Sequence, residues 1–200
     1  MGEDASVNNY DIISIGDSAS SNDDLSNSDR TNYLRNISLS YFAAQPTEMM
    51  SKHIEFKELC LESGNPEAHY IQGILQLFVK EDEQAGLYHL RQSSDGGYID
   101  GTYLYGLSLL AVERFHKGQK YLDKLGWKEN RSTSDQCWER VKKSLTDIPY
   151  FMNQGYYIAR ANLETLCGCR SRKRRGRVCN HGYYYERLNQ FFEFAMNKNN

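Results

Sequence analysis

From position 33 onward, apolar side chains recur at steps of three and four residues, the spacing that places them on one side of an α-helix. Met49, Met50, His53, Ile54, Phe56, Leu59 and Cys60 make the first such series and predict a helix with one buried face. It stops at Gly64, a residue free to take the left-handed position past a helix C-terminus. Asn65 and Pro66 then predict the N-cap and first turn of a new helix. That helix carries Ala68, Ile71, Ile74, Leu75 and Phe78 on one side. Asp82 offers an N-cap for a further, shorter helix bearing Leu87 and Leu90, closed by Gly96 and Gly97.

The unit then returns. Gly64-Asn-Pro-Glu-Ala-His-Tyr70-Ile-Gln-Gly73 aligns with Gly97-Tyr-Ile-Asp-Gly-Thr-Tyr103-Leu-Tyr-Gly106 at an offset of 33 residues. Glu67 meets Asp100, Tyr70 meets Tyr103 and Gly73 meets Gly106, and the second halves answer each other as Gly86-Leu-Tyr-His-Leu90 and Gly118-Gln-Lys-Tyr-Leu122. A helix–turn–helix unit of this period predicts an all-α fold, a short α-solenoid of stacked hairpins, over two unrelated hairpins in a bundle. A glycine inside a helix costs about 1 kcal/mol against alanine, so Gly73 and Gly106 predict close approach of the paired helix. After Gly126, Ser132-Thr-Ser is expected to cap one more helix with Cys137, Trp138, Val141 and Leu145 inward, sealing the end of the stack.

Composition divides the 200-residue chain into three. Residues 1–32 hold seven acidic side chains against one arginine, with many Ser and Asn, a mixture that cannot offset its ordering entropy and predicts a disordered acidic segment. Residues 33–147 form the repeat domain, and residues 148–200 a Cys/Arg-rich segment ending in an amphipathic helix with Tyr185, Leu188, Phe191, Phe192 and Ala195. The overall balance of 24 basic to 26 acidic groups excludes a uniformly basic nucleic-acid coat protein. The longest apolar run, near Leu107 and Val112, is far short of the ~20 residues a membrane helix needs, so no membrane partner is expected. With no secretory leader pattern, the five cysteines read as reduced thiols in the nucleus, the cytoplasm or both.

Two clusters near the C-terminus could carry chemistry. Cys167, Cys169, Cys179 and His181 offer three thiolates and an imidazole, the preferred donors of a tetrahedral zinc site. The short Cys-x-Cys loop and the cations around it leave ordinary reduced cysteines as the competing reading. Arg170, Arg172, Lys173, Arg174, Arg175 and Arg177 place six cations within eight residues, the pattern of a nuclear import signal or of a solvated loop. Direct nucleic-acid binding ranks behind both. No nucleophile elbow, P-loop, dinucleotide fingerprint or His-Glu-x-x-His is present, and the histidines are scattered, His69 and His89 reading as boundary residues of the repeat helices. The sequence points to a non-enzymatic binding protein without a certain cofactor, zinc being the one candidate.

The segment Cys60-Leu-Glu-Ser-Gly-Asn-Pro-Glu-Ala-His-Tyr70, with Gly73, Gly86-Leu-Tyr-His-Leu90 and Gly-Thr-Tyr103-Leu-Tyr-Gly-Leu107, resembles the C-terminal repeats of a plant F-box protein family. Those repeats are described as Sel1- or tetratricopeptide (TPR)-like, and the likeness runs from Tyr33 to Leu145. In that family an N-terminal F-box binds Skp1 and the repeats are held to present a target for ubiquitination. The resemblance implies a protein partner in the repeat groove and a link to target recruitment by a ubiquitin ligase. Asp11-Ile-Ile-Ser-Ile-Gly-Asp is similar to the middle of the F-box, but the leading Leu-Pro segment and the later Cys-Lys-Phe-type helix are missing. Skp1 binding therefore does not transfer with the repeats. The alternatives are a working Skp1-binding adaptor and a nuclear protein that binds zinc or nucleic acid.

Overall fold

A computed structural model describes residues 27–148, 154–166 and 180–197. All regular structure among them is helical: α1 (Asn27–Asn36), α2 (Ser40–Ala44), α3 (Pro46–Ser51), α4 (Ile54–Glu62), α5 (Pro66–Ile74), α6 (Glu83–Asp95), α7 (Ile99–Ala111), α8 (Phe115–Asp123), α9 (Ser132–Thr146), α10 (Gln154–Leu166) and α11 (Asn180–Asn197). The all-α repeat architecture expected from the spacing is the one observed. Helix α1 begins at Asn27, within the stretch 1–32 for which composition predicts disorder, and buries Leu34. The single helix expected around residues 49–60 is two. The chain breaks at Lys52 and His53, so that Met49 and Cys60 both reach the core while Met50 and Ile54 turn outward, 36% and 50% exposed.

Asn65 ties the first helices to the repeats. Its Oδ1 accepts the N–H groups of Glu67 and Ala68 at 2.9 and 3.0 Å, capping α5 as the sequence predicts. Its Nδ2 donates to the carbonyls of Leu34 and Ile37, both at 2.9 Å, so that one buried amide is fully bonded and holds α1 against α5. Gly64 and Gly97 take the left-handed conformation at φ +73° and +88°, and the residues after them close the preceding helices with Asn65 N–H donating to Cys60 O and Tyr98 N–H to Ser93 O. The two hairpins thus start from the same turn, although Tyr98 supplies no side-chain cap where Asn65 does.

Within each hairpin the leading helix (α5 or α7) lies against the trailing one (α6 or α8) at glycines. A Cβ on Gly73 would sit 2.7 Å from Leu90 Cγ, and one on Gly106 would sit 2.9 Å from Leu122 Cγ. From the other side, a Cβ on Gly86 would meet Leu77 and one on Gly118 would meet Leu110 and the Gly106 carbonyl. The same four-position lock is built twice. Its halves are not equally spaced along the chain: Gly73 and Gly106 are 33 residues apart, but Gly86 and Gly118, like Leu90 and Leu122, are 32 apart. The extra residue is absorbed in a π-turn, Leu75–Val79, where Lys80 N–H donates to Leu75 O at 3.0 Å, five residues back. The hairpins stack α6 against α7, with Ser94 and Thr102 hydroxyls bonded at 2.8 Å.

Helix α7 is the centre of the molecule, and every residue from Asp100 to Ala111 is buried. Helices α9 and α11 lie on it, and α10 bridges α7 and α11. The segment beyond residue 147, expected as a separate C-terminal piece, thus contributes two helices to the main core, with Tyr183, Leu188, Phe191 and Phe192 among its most buried side chains.

The glycine contacts yield a direct expectation. Gly118→Ala, whose methyl would lie 2.7 Å from the Gly106 carbonyl oxygen, and Gly86→Ala, whose methyl would meet the Leu77 backbone nitrogen at 2.9 Å, each destabilise by about 1–3 kcal/mol despite the better helix propensity of alanine. Gly73→Ala, whose methyl would meet Leu90 Cγ at 2.7 Å and the Leu90 backbone nitrogen at 3.1 Å, destabilises as well. Urea unfolding midpoints of the three variants measure the loss.

Candidate partner-binding site

The residues that define the repeat fall on the leading helices and their turns. Tyr70 and Tyr103 are both buried on the inner face of α5 and α7, which meets α9. The Tyr70 hydroxyl donates to Ser144 Oγ of α9 at 2.9 Å, and its ring meets Tyr98 edge-on at 5.2 Å. The Tyr103 ring lies 6.5 Å from Trp138 of α9. Glu67 accepts the Leu39 N–H at 2.7 Å, and burial raises its carboxyl above the usual range despite that bond. Its repeat counterpart Asp100 turns to α9, where Arg140 holds it through two bonds, Nε at 2.6 Å and an Nη at 2.7 Å.

These bonds correct two expectations. Ser132 is the first residue of α9 and not its cap; Asn130 Oδ1 accepts the Ser132 N–H at 2.8 Å instead. Nor does α9 seal the end of the stack. It runs back over the inner face, from Ser134, which accepts the Tyr183 hydroxyl at 2.8 Å, past Asp100 and Tyr70 to Asp147, which accepts the Thr47 N–H at 2.8 Å. The physical reason is the polar edge of the leading helices. Asp100 and the Tyr70 hydroxyl are buried and must be bonded, and α9 brings Arg140 and Ser144 at helical spacing to do it. Trp127 stacks on Tyr183 at 3.9 Å, and Arg187 binds Asp135 at 2.5 Å, so α11 covers the neighbouring strip. The inner groove that the sequence reading assigns to a partner is filled by the chain's own helices.

His69 and His89 are brought together, not left apart at boundaries: their Nδ1 atoms are 2.9 Å apart, one donating to the other. Burial and then the His89 charge push His69 down to about 4; burial also lowers His89, with Lys57 adding to and Glu58 opposing the shift. Cys60 and Cys137 are buried thiols pushed up to about 11 and about 12 by desolvation, which makes them poor nucleophiles. Of the zinc candidates, His181 is exposed in the first turn of α11, while Cys167, Cys169 and Cys179 lie outside the described residues. So does the cationic run Arg170, Arg172, Lys173, Arg174, Arg175 and Arg177. Among the described residues no three His, Cys, Asp or Glu side chains are grouped to hold a metal ion, and no helix is long and apolar enough to cross a membrane.

An open concavity remains at the C-terminal ends of the leading helices, where the turns after them face α10. It encloses about 420 Å³ between an apolar floor of Leu77, Phe78, Ala111 and Val112 and a rim of Glu81, Glu83 and Glu113, with Tyr156 on the α10 side. Glu81 and Glu113 hold the left-handed backbone at φ +56° and +61°, the seat that glycine takes at positions 64 and 97. The hydrophobic pattern gave no sign of this rim; the trace in the sequence is an acidic residue after each leading helix, 32 residues apart.

Two outcomes follow from these contacts. Arg140→Ala leaves Asp100, whose side chain is 3% exposed, without its counter-charge and costs about 2 kcal/mol, less than a fully enclosed pair because Arg140 itself is half-exposed. A double-mutant cycle with Asp100→Asn, read by chemical denaturation, is non-additive. The histidine pair binds protons less well folded than unfolded, so stability is complete above pH 6.5 and falls as the pH drops towards about 4. A melting series over that window shows the decline, and His69→Gln flattens it.

A family model described as plant tetratrico peptide repeats matches residues 39–146, from the turn before α2 to the end of α9. An F-box protein of Arabidopsis thaliana, At2g35280, is 31% identical over 94 residues, which make up 47% of this chain and 57% of that protein. The chain thus spans little more than half the length of this curated relative. No solved structure matches. The match takes in both hairpins and the helix that covers them, more than half of the sequence, and the chain belongs to the plant tetratricopeptide repeat family.

Proposed function

We propose that the chain is a non-catalytic protein-interaction module that holds a target protein for an F-box-type ubiquitin ligase. The observation that carries this reading is the duplicated hairpin, Gly73–Leu90 and Gly106–Leu122, within a segment matched by the plant repeat family. The F-box protein from Arabidopsis thaliana that shares this segment supports the link to ubiquitination. The buried, weakly acidic thiols and the neutral histidine pair support a binding role over a catalytic one. Because α9 and α11 fill the inner face, the partner engages the edges and turns of the stack.

The competing reading is a complete adaptor that contacts Skp1 directly. Helices α1 to α4 weigh against residues 27–62 as its seat, since they sink Leu34, Phe42, Met49 and Cys60 into the common core and do not stand as a separate unit. Capture of purified Skp1 by the full chain, and by a variant lacking residues 1–26, separates the two. We expect no retention by either form; retention by the full chain that is lost in the shortened one establishes the adaptor.

A further inference from the structure

We propose that the concavity between the turns after α5 and α7 and the start of α10 receives the arginine side chain of a basic segment of the partner protein, a reading that rests on the interaction-module assignment. Three carboxylates line it, Glu81, Glu83 and Glu113, and among the described residues no cation does. Glu113 accepts a hydrogen bond from Asn162 Nδ2, and Glu83 shares Arg114 at the outer edge at 3.3 Å, both partners half-exposed. Glu81 makes no hydrogen bond or ion pair among the described residues. The floor is apolar, as the methylene stem of an arginine needs when its head is held elsewhere. A volume of about 420 Å³ accommodates such a side chain together with part of the backbone that carries it.

A second observation points the same way. Tyr156 lines the concavity, is 8% exposed, and its hydroxyl has no hydrogen-bond partner among the described residues. Burial first, then the Glu83 and Glu81 charges, push this phenol up to about 12, so it faces the space as a neutral hydroxyl able to accept from a guanidinium. The two rim glutamates are also costly where they stand. Each has a left-handed backbone that glycine adopts freely, and each adds negative charge at a helix C-terminus, the negative end of the dipole. The chain makes this unfavourable choice twice, at equivalent places, and a cation between them relieves it.

A divalent metal fits less well. Two of the three carboxylates are engaged by Asn162 and Arg114, and the floor is hydrocarbon. Charge complementarity together with the apolar floor selects a planar, weakly hydrated guanidinium on an aliphatic stem.

The test is an NMR titration of the full isotope-labelled chain with N-acetyl-arginine methylamide, with its neutral isostere N-acetyl-citrulline methylamide, and with spermidine. The expected result is saturable shifts of the amides around Glu81, Glu113 and Tyr156 with the arginine probe alone. Glu81→Gln should weaken that binding about fivefold, roughly what one partly exposed ion pair supplies. Glu81→Gly should weaken it as much while raising the melting temperature, because the strained seat is relieved; this separates recognition from folding. An equal response to citrulline, no saturation at about 20 mM, or tighter binding of spermidine than of the arginine probe each overturns the proposal, the last in favour of a free polyamine. Failure of the arginine probe in a chain that still captures a target protein removes this inference and leaves the interaction module standing. Arginine binding without target capture does the reverse.

Discussion

How closely two helices approach within one hairpin governs the rest of this molecule. With hydrogen at Gly73 and Gly106, Leu90 and Leu122 pack against backbone, and a leading helix and its partner behave as a single slab. Two slabs then stack closely enough that α7, shared between them, is buried from Asp100 to Ala111. Burial on that scale makes an unbonded polar group on the inner face costly. Arg140 and Ser144 bond Asp100 and Tyr70, while the Tyr103 hydroxyl is left without a hydrogen-bond partner among the described residues. The helix that lies across the repeats is thus a consequence of how tightly the repeats are built.

The arrangement separates two tasks that repeat proteins often combine. The face that would hold an extended polypeptide is filled with the chain's own aromatic and aliphatic side chains, Trp138, Val141 and Phe191 among them. What remains for recognition is the margin, where the turns carry charge that folding alone does not favour. Glu81 and Glu113 are the clearest case, because strain and dipole both oppose them.

The repeat, its glycines and its tyrosines were legible because they follow rules that act locally. Gly64, Asn65 and Pro66 have conformational preferences that need no knowledge of the rest of the chain, and the structure uses each as its chemistry suggests. The fate of α9 was not legible. Its inward residues Cys137, Trp138, Val141 and Leu145 were correctly placed on one side, but amphipathicity states that a face is covered and not by what. The partner of that face is chosen by Arg140 meeting Asp100, 40 residues apart, and no spacing rule connects them. The break between α3 and α4 escaped for a related reason: a series of apolar steps reads equally well as one helix or as two meeting at His53. The pairing of His69 with His89 depends on the hairpin closing, so it became visible only once the trailing helix was in place.

The π-turn at Leu75–Val79 bears on how such arrays diversify. An added residue in a helix rotates everything beyond it by about 100°. Placed directly after α5, the surplus is consumed before α6 begins, so Gly86 and Leu90 still engage their sites as Gly118 and Leu122 do one unit later. A duplicated unit can in this way accept an insertion while both copies keep their fit to their neighbours.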